Sequence, residues 1–369
     1  MALGFPTRRV REGLVELLVP DVPQGPGPGT RSALPFYNPA MAVARDVSVV
    51  VAGRLLPRGG TVLDGLAATG VLGLRIARES GREPAVTLND KNPKAVALIR
   101  ANLALNPGLE ADVEGGDLNA HLATRRHDLV EIDPFGSPVP FLDAALRSAR
   151  RGSLLGVTAT DTAVLCGAKP EAARRRYLAD VRHTDAYAEV GTRLLLGYVV
   201  RMAARFDKGV EPVLAYAAEH FVNVHVRVAE GAARADRALA HLGRVAYDPA
   251  TGEHRPLGAD APGPAIGPLW MGPLGDADLV AGLVPSAAMG YPAARLLDFL
   301  RGEIALPPFY VDNNAMARRA GVPPPPPSDV IARLRDRGFR AAPTHFRRNS
   351  VKTDAPWADL AGAYGGAGP

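Results

Sequence analysis

Through the first two thirds of the chain, short apolar runs alternate with stretches in which apolar positions recur every three or four residues, the pattern of strands separated by helices. The runs at 61–66, 85–89, 128–132 and 153–158 predict strands, and the shorter alternation at 111–116 predicts a weaker one. Between and after them, 71–79, 93–105, 139–149 and 189–205 carry helical periodicity. Helices of this length linking strands imply right-handed crossovers and a parallel sheet. Segments 213–218 and 221–228 lie only two residues apart, too close for a crossover, and predict an antiparallel hairpin closing one edge. The expected fold is therefore α/β, a mostly parallel sheet ending in an antiparallel hairpin, in a first domain over residues 1–231.

Flanking signals are less regular. Asn38 followed by Pro39 predicts a helix start, with Met41, Val43, Val47 and Val50 as its apolar face. Ahead of it, residues 1–35 combine an amphipathic stretch at 10–19 with a Pro/Gly run at 20–29 and are expected to be a loop segment. Beyond 231, the Gly- and Pro-rich stretch 246–268 also predicts loops, and the prolines within 322–327 predict a stiff polyproline spacer. Ser328 offers a helix cap, Val330, Ile331 and Leu334 a buried face, and Gly338 a stop. Residues 232–369 are thus expected to form a second, smaller α+β domain.

A length of 369 residues suits two domains. The chain has no apolar run of about eighteen residues and no signal-peptide order at its start, so a soluble, cytoplasmic protein is expected. The single cysteine, Cys166, excludes an internal disulfide and reads as a small apolar filler. The formal net charge is +5, carried largely by arginine, a bias that genome composition or heat adaptation can also produce. Its distribution says more: Arg318, Arg319, Arg333, Arg335, Arg337, Arg340, Arg347, Arg348 and Lys352 are opposed locally only by Asp329 and Asp336, a positive field suited to a polyanion.

Candidate chemistry gathers at the strand ends. Asp64-Gly65-Leu66-Ala67-Ala68-Thr69-Gly70 follows the first sheet strand and leads into a helix, and its small residues permit close backbone approach to a ligand. Asp90, ending the next strand, could accept hydrogen bonds from two ribose hydroxyls, and Asp117 lies where an adenine edge would follow. These positions admit either a nicotinamide dinucleotide or S-adenosylmethionine. The loop has Gly70-x-x-Gly73 but no full Gly-x-Gly-x-x-Gly to cradle a pyrophosphate, which leans towards the sulfonium cofactor.

The fourth sheet strand runs into Asp133-Pro134-Phe135-Gly136-Ser137-Pro138. Pro134 supplies a carbonyl without a competing N–H, Gly136 permits a sharp turn, and Phe135 offers a stacking surface. Asp133 and that carbonyl could together accept hydrogen bonds from an exocyclic amine. Such an amine is a poor nucleophile, its lone pair being delocalised into the ring, so it must be oriented and deprotonated as it attacks.

The sequence here resembles the tRNA guanine-26 N2-dimethyltransferase family. The resemblance rests on Phe36-Tyr37-Asn38-Pro39 with Arg45-Asp46, the 133–138 tip, Thr158-Ala159-Thr160-Asp161-Thr162-Ala163-Val164-Leu165-Cys166-Gly167, Gly267-Pro268-Leu269-Trp270-Met271-Gly272-Pro273-Leu274, and Thr344-His345-Phe346 through Lys352-Thr353-Asp354-Ala355-Pro356. It implies a Rossmann-like class I methyltransferase domain that takes methyl groups from S-adenosylmethionine and places two on the N2 of a flipped tRNA guanine. It further implies Asp133 as catalytic carboxylate with Pro134, Phe36 and Phe135 around the guanine, and Arg45, Asp64, Asp90, Asp117 and Leu118 at the cofactor. Leu72 stands where the family usually has an arginine near the cofactor, leaving that contact missing or supplied by Arg75. Members that hold zinc use cysteines which the region 241–258 lacks, so no metal is expected, and His241 and His254 are expected at the surface or in packing. Arg347, Arg348 and Lys352 are the expected tRNA phosphate contacts, with Arg174-Arg175-Arg176 a possible extension of the same track. No obligate protein partner is expected, and a monomer is. Competing readings are a methyltransferase acting on an amino group of DNA or ribosomal RNA, an inactive nucleic-acid-binding relative, and a nicotinamide oxidoreductase.

Overall fold

The computed structural model describes residues 3–22, 34–258 and 263–364. The chain opens on a hairpin, β1 (Thr7–Glu12) and β2 (Val15–Pro20), and a short 3-10 turn then leads into α1 (Ala42–Leu55). The turn is capped as the sequence suggests, the Asn38 side chain accepting from the Ala40 N–H with Pro39 at the first position. The alternating segment follows: β3 (Thr61–Asp64), α2 (Val71–Glu79), β4 (Ala85–Asn89), α3 (Pro93–Ala104), β5 (Asp112–Glu114), α4 (Leu118–Thr124), β6 (Leu129–Ile132), α5 (Val139–Ser148) and β7 (Leu154–Ala159). Then come α6 (Thr162–Leu165), α7 (Pro170–Tyr177), α8 (Tyr187–Ala204), β8 (Lys208–Ala218) and β9 (Phe221–Glu230).

The strands from β3 to β9 form one seven-stranded sheet in the order β5-β4-β3-β6-β7-β9-β8. All pairings among the first five are parallel, whereas β9 runs antiparallel to both its neighbours. The strand order reverses between β3 and β6, and crevices for ligands open at such switch points, beyond the carboxyl ends of the strands.

Two regions depart from the sequence expectation. Residues 7–20 are a hairpin rather than loop, because Val15, Leu17 and Val19 point inward and are fully buried while Arg8, Arg9 and Arg11 stay in water. Most of the Pro/Gly run lies outside the described residues. Past α9 (Ala232–Leu239) come β10 (Leu242–Tyr247), β11 (His254–Leu257) and β12 (Ile266–Trp270), a three-stranded antiparallel sheet ordered β11-β10-β12, so the stretch 246–268 expected to be loops holds the end of β10, all of β11 and the start of β12. Glycines and prolines there punctuate short strands rather than abolish them.

The remainder comprises α10 (Ala277–Ala281), α11 (Tyr291–Glu303), β13 (Val311–Asp312), α12 (Asn313–Ala320), α13 (Pro327–Asp336), β14 (Ala341–Pro343), β15 (Ser350–Thr353) and α14 (Trp357–Ala363). The main apolar core continues past Gly231, taking in Val245, Ile266, Leu269, Trp270 and Leu297. A smaller core joins Val311, Met316 and Ala317 to Val330, Ile331, Leu334, Val351 and Leu360. Because it includes residues on both sides of 322–327, the proline run connects two helices of one unit and is not a spacer between bodies. Pro327 occupies the first turn of α13 and Pro326 its cap position, so Ser328 does not cap the helix, although Val330, Ile331 and Leu334 are buried and Gly338 follows it with positive φ.

Candidate active site

The carboxyl ends of β3, β4, β5 and β6 bring Asp64, Asp90, Asp117 and Asp133 to one edge of the sheet. Asp64 is buried, and its Oδ2 accepts from the Gly73 N–H at 3.1 Å, tying the strand to α2. Burial pushes its carboxyl up to about 7 against the Gly73 hydrogen bond, with the charges of Glu131, Asp133 and Asp90 adding to the rise. Asp90 divides its oxygens between the Ala68 and Asn92 N–H groups, at 2.9 and 2.8 Å. Asp117 caps α4 through Oδ1 alone, accepting from Asn119 and Ala120 at 2.9 and 3.2 Å.

The turns that carry these carboxylates are stitched together by residues whose role had no sequence signal. Buried Asn89 donates to the carbonyls of Gly65 and Gly116, and Asn102 donates to those of Thr69 and Leu18. Gly65 is required by packing, since a Cβ there would lie 2.8 Å from a Leu118 methyl. Leu118 therefore forms the floor under the first turn. Leu72 is buried in α2 among apolar neighbours. Arg75 does not substitute for the arginine missing at that position: fully buried, it pairs with Glu12, Asp46 and Glu79 at 3.1, 2.6 and 2.9 Å.

Glu12, from the hairpin, also binds Arg45 in a two-pronged pair at 2.6 Å each and accepts from the Tyr37 hydroxyl at 3.0 Å. Burial pushes the Glu12 carboxyl up, but the Arg45 hydrogen bonds and charge, with Arg75, outweigh it and hold it below its ordinary value. Arg45 donates as well to the Asn38 carbonyl at 3.0 Å. It is thus oriented from the hairpin side, and its charge reaches Asp133.

Asp133 is half-buried. Burial raises its carboxyl to about 6, Arg45 opposing the rise and Glu131 adding to it. Neither its carboxylate nor the Pro134 carbonyl has a hydrogen-bond partner among the described residues. Phe135 is 43 % exposed, and its ring lies 4.4 Å from that of Phe36, tilted by 58°. Two unsatisfied acceptors therefore sit beside a pair of aromatic rings that touch each other.

The tip is clamped from β7 and α7. Gly136, at φ +82°, donates to Thr160 Oγ1 at 2.7 Å and accepts from the Thr160 N–H at 2.9 Å. Ser137 Oγ lies 2.9 Å from the Tyr177 hydroxyl, which donates to Asp161 at 2.7 Å, and Arg176 pairs with the other Asp161 oxygen at 3.1 Å. The Thr160-Asp161 motif was visible in the sequence, but its partners were not.

Behind the tip, Glu131 lies 3.5 Å from His225, and His225 is 3.1 Å from Ser48 of α1, all three buried. Gly156 makes room for this pair, since a Cβ on it would fall 2.1 Å from a Glu131 carboxylate oxygen.

The expected phosphate contacts do not gather at this edge. Lys352 is buried, its ammonium 2.9 Å from Glu189, so it is a structural cation and cannot reach a phosphate. Arg347 pairs with Asp312 at 3.0 Å and lies over the Tyr187 ring, while Arg348 is exposed and has no partner among the described residues. The positive field is smaller than the sequence suggests, because Arg333, Arg335 and Arg337 donate to backbone carbonyls and Arg340 pairs with Asp354. His241 packs on Trp270, and His254 lies between Tyr247 and Phe309.

The sheet order, the lone antiparallel strand and the row of carboxylates at the switch point define a Rossmann-like methyltransferase of class I. More narrowly, the chain belongs to the family described as N2,N2-dimethylguanosine tRNA methyltransferase, whose model matches residues 29–364. It is 41 % identical to the tRNA (guanine(26)-N(2))-dimethyltransferase of Thermococcus kodakarensis, covering 95 % of this chain and 97 % of that one. With the enzyme of the same description from Methanoculleus marisnigri it shares 44 % identity, over 87 % and 89 % of the two chains. The solved structure of Trm1 from Pyrococcus horikoshii in complex with S-adenosyl-L-methionine superposes with a TM-score of 0.88 at 36 % identity, over 96 % of this chain and 99 % of that one.

Proposed function

We propose that this enzyme transfers methyl groups from S-adenosylmethionine to the N2 of guanine 26 in tRNA, first one and then a second, with Asp133 as general base acting on a flipped base. The observation that carries this reading is the pair of unpartnered acceptors, Asp133 and the Pro134 carbonyl, beside Phe36 and Phe135. Two acceptors meet the two hydrogens of an exocyclic amine. After the first transfer one hydrogen remains, and the same carboxylate can take it.

The residues at the switch point fit the cofactor. Asp90 and Asp117 suit its ribose and adenine, Asp117 Oδ2 being left over from capping, and the hydroxyl of buried Thr69 has no partner. Arg45 and Asp64 complete the set that would hold it. Bound there, S-adenosylmethionine supplies an electrophilic methyl on a sulfonium, with no phosphate to cradle. The protein orients the amine, accepts its proton at an Asp133 oxygen and stacks the purine. Because the Phe36 and Phe135 rings touch, a base entering between them must first part them.

In this reading residues up to 231 carry out the modification and those beyond grip the RNA. Arg348, with Arg347, and the exposed Arg175 are the cations placed to meet phosphates. Incubation with unmodified tRNA and labelled cofactor, followed by nucleoside analysis, tests the proposal. N2-methylated and then N2,N2-dimethylated guanosine at position 26 are expected, and absence of both overturns it. Asp133→Ala should abolish product and leave cofactor affinity within a few-fold.

A further inference from the structure

Two locally unfavourable features coincide at one position among the described residues. Among large apolar side chains left in water, Leu178 is 57 % exposed, and among non-glycine residues with positive φ it stands at +52°. No other described residue belongs to both groups. It follows α7 directly, where a left-handed residue commonly ends a helix and glycine is the favoured occupant. A leucine there is doubly unfavourable, through its backbone and through its solvation, and such local cost concentrates where function requires it.

Its setting supplies the reason. The backbone is held rigidly: Arg201 donates to the carbonyls of Leu178 and Tyr177, at 3.0 and 2.6 Å. The Tyr177 hydroxyl reaches Ser137 of the tip, so Leu178 stands one tyrosine side chain away from the segment carrying Asp133 and Phe135. Just before it in α7 come Arg174, Arg175 and Arg176, all exposed. Arg174 is held by Asp180 and Arg176 by Asp161, whereas Arg175 has no partner among the described residues. A rigidly mounted apolar side chain, flanked by cations and beside a base-binding tip, has the form of a side chain that inserts between stacked bases.

We propose that Leu178 is an RNA wedge, entering the stack at the step vacated by the target guanine while Arg175 meets an adjoining phosphate. The inference rests on the base-flipping reading above. The test places 2-aminopurine at the target position of the tRNA and follows its fluorescence on binding, beside single-turnover methylation of the natural tRNA and thermal melting of the protein. With wild-type enzyme the probe should brighten as it leaves the stack. Leu178→Gly should melt no lower than wild type, because glycine suits the left-handed backbone, yet brighten the probe far less. It should also methylate about tenfold more slowly, the order of one lost stacking contact. Leu178→Met, which restores an apolar wedge, should recover most of the rate. If the wild type brightens the probe and Leu178→Gly matches it in both fluorescence and rate, the wedge is wrong and base flipping stands. If the wild type itself leaves the probe dark, base flipping fails and the wedge falls with it.

Discussion

As the proposed general base, Asp133 would work in its ionised form, so a carboxyl raised to about 6 would set where activity is lost on acidification. The rate at subsaturating tRNA should be level above about pH 7 and fall tenfold per unit below about 6, rather than below the ordinary aspartate value near 4. Arg45 lowers that value, so Arg45→Gln should move the acid limb upward, which a pH profile at fixed cofactor concentration would show. An unmoved limb would mean that another group titrates. Thr160 is the second residue whose loss has a defined signature, since both its N–H and its hydroxyl hold Gly136. Thr160→Val keeps the N–H and removes the acceptor, so the turnover rate should fall about tenfold or more as the tip loosens, with cofactor affinity retained and Thr160→Ser restoring the rate. Equal losses in the valine and serine variants would refute a role for the hydroxyl.

Among the elements, those of the parallel sheet were legible because period-two and period-3.6 patterns do not overlap there, and most helices and strands begin within a residue or two of their expected positions. The hairpin was not. Its inward residues Val15, Leu17 and Val19 alternate, but β1 buries little of its length and a Pro/Gly run follows. The same masking hid β10, β11 and β12. At the site, each carboxylate was legible as a residue type at a strand end, while Glu12, Asn89, Asn102 and Tyr177 were not, because their partners are up to 84 residues away and no local pattern records them. Lys352 was misread for the same reason: a basic stretch gives no sign that one of its cations is buried against Glu189. The hairpin nevertheless has a testable function as an element. Glu12→Gln would leave Arg45 and Arg75 facing each other without their shared anion, although Arg75 retains Asp46 and Glu79. Breaking a buried pair costs about 3–5 kcal/mol, so a marked drop in melting temperature is expected, together with weakened cofactor binding as Arg45 loses its orientation. A variant that melts like the wild type would show that the hairpin only covers the core.

At the scale of the whole molecule the question is what fastens the C-terminal unit to the sheet that carries the chemistry, and the answer centres on Glu189. Fully buried in α8, it pairs with Arg193 at 2.8 Å and with Lys352 of β15 at 2.9 Å, and it accepts the N–H groups of Phe309 and Tyr310, both at 2.9 Å. Burial alone would push this carboxyl up, but Lys352 and Arg193, aided by the hydrogen bonds, hold it down at about 2. A depressed carboxylate contributes stability that is present above its unfolded value near 4.5 and is lost as pH falls towards 2. Glu189→Gln would keep much of the shape but strand two buried cations. It should therefore lower the melting temperature by several degrees or more at pH 7 and flatten the acid dependence of stability between pH 4.5 and 2. Glu189→Gln with Lys352→Met removes one of the stranded charges and should recover part of the loss, a coupling that a double-mutant cycle measures directly. Because Asp133 lies on another strand end, residual methylation per folded molecule should persist when a short unstructured RNA is the substrate and drop with intact tRNA, which needs both parts held in register. Equal losses on the two substrates would mean that Glu189 supports the fold of the sheet itself rather than the docking of the part that follows it.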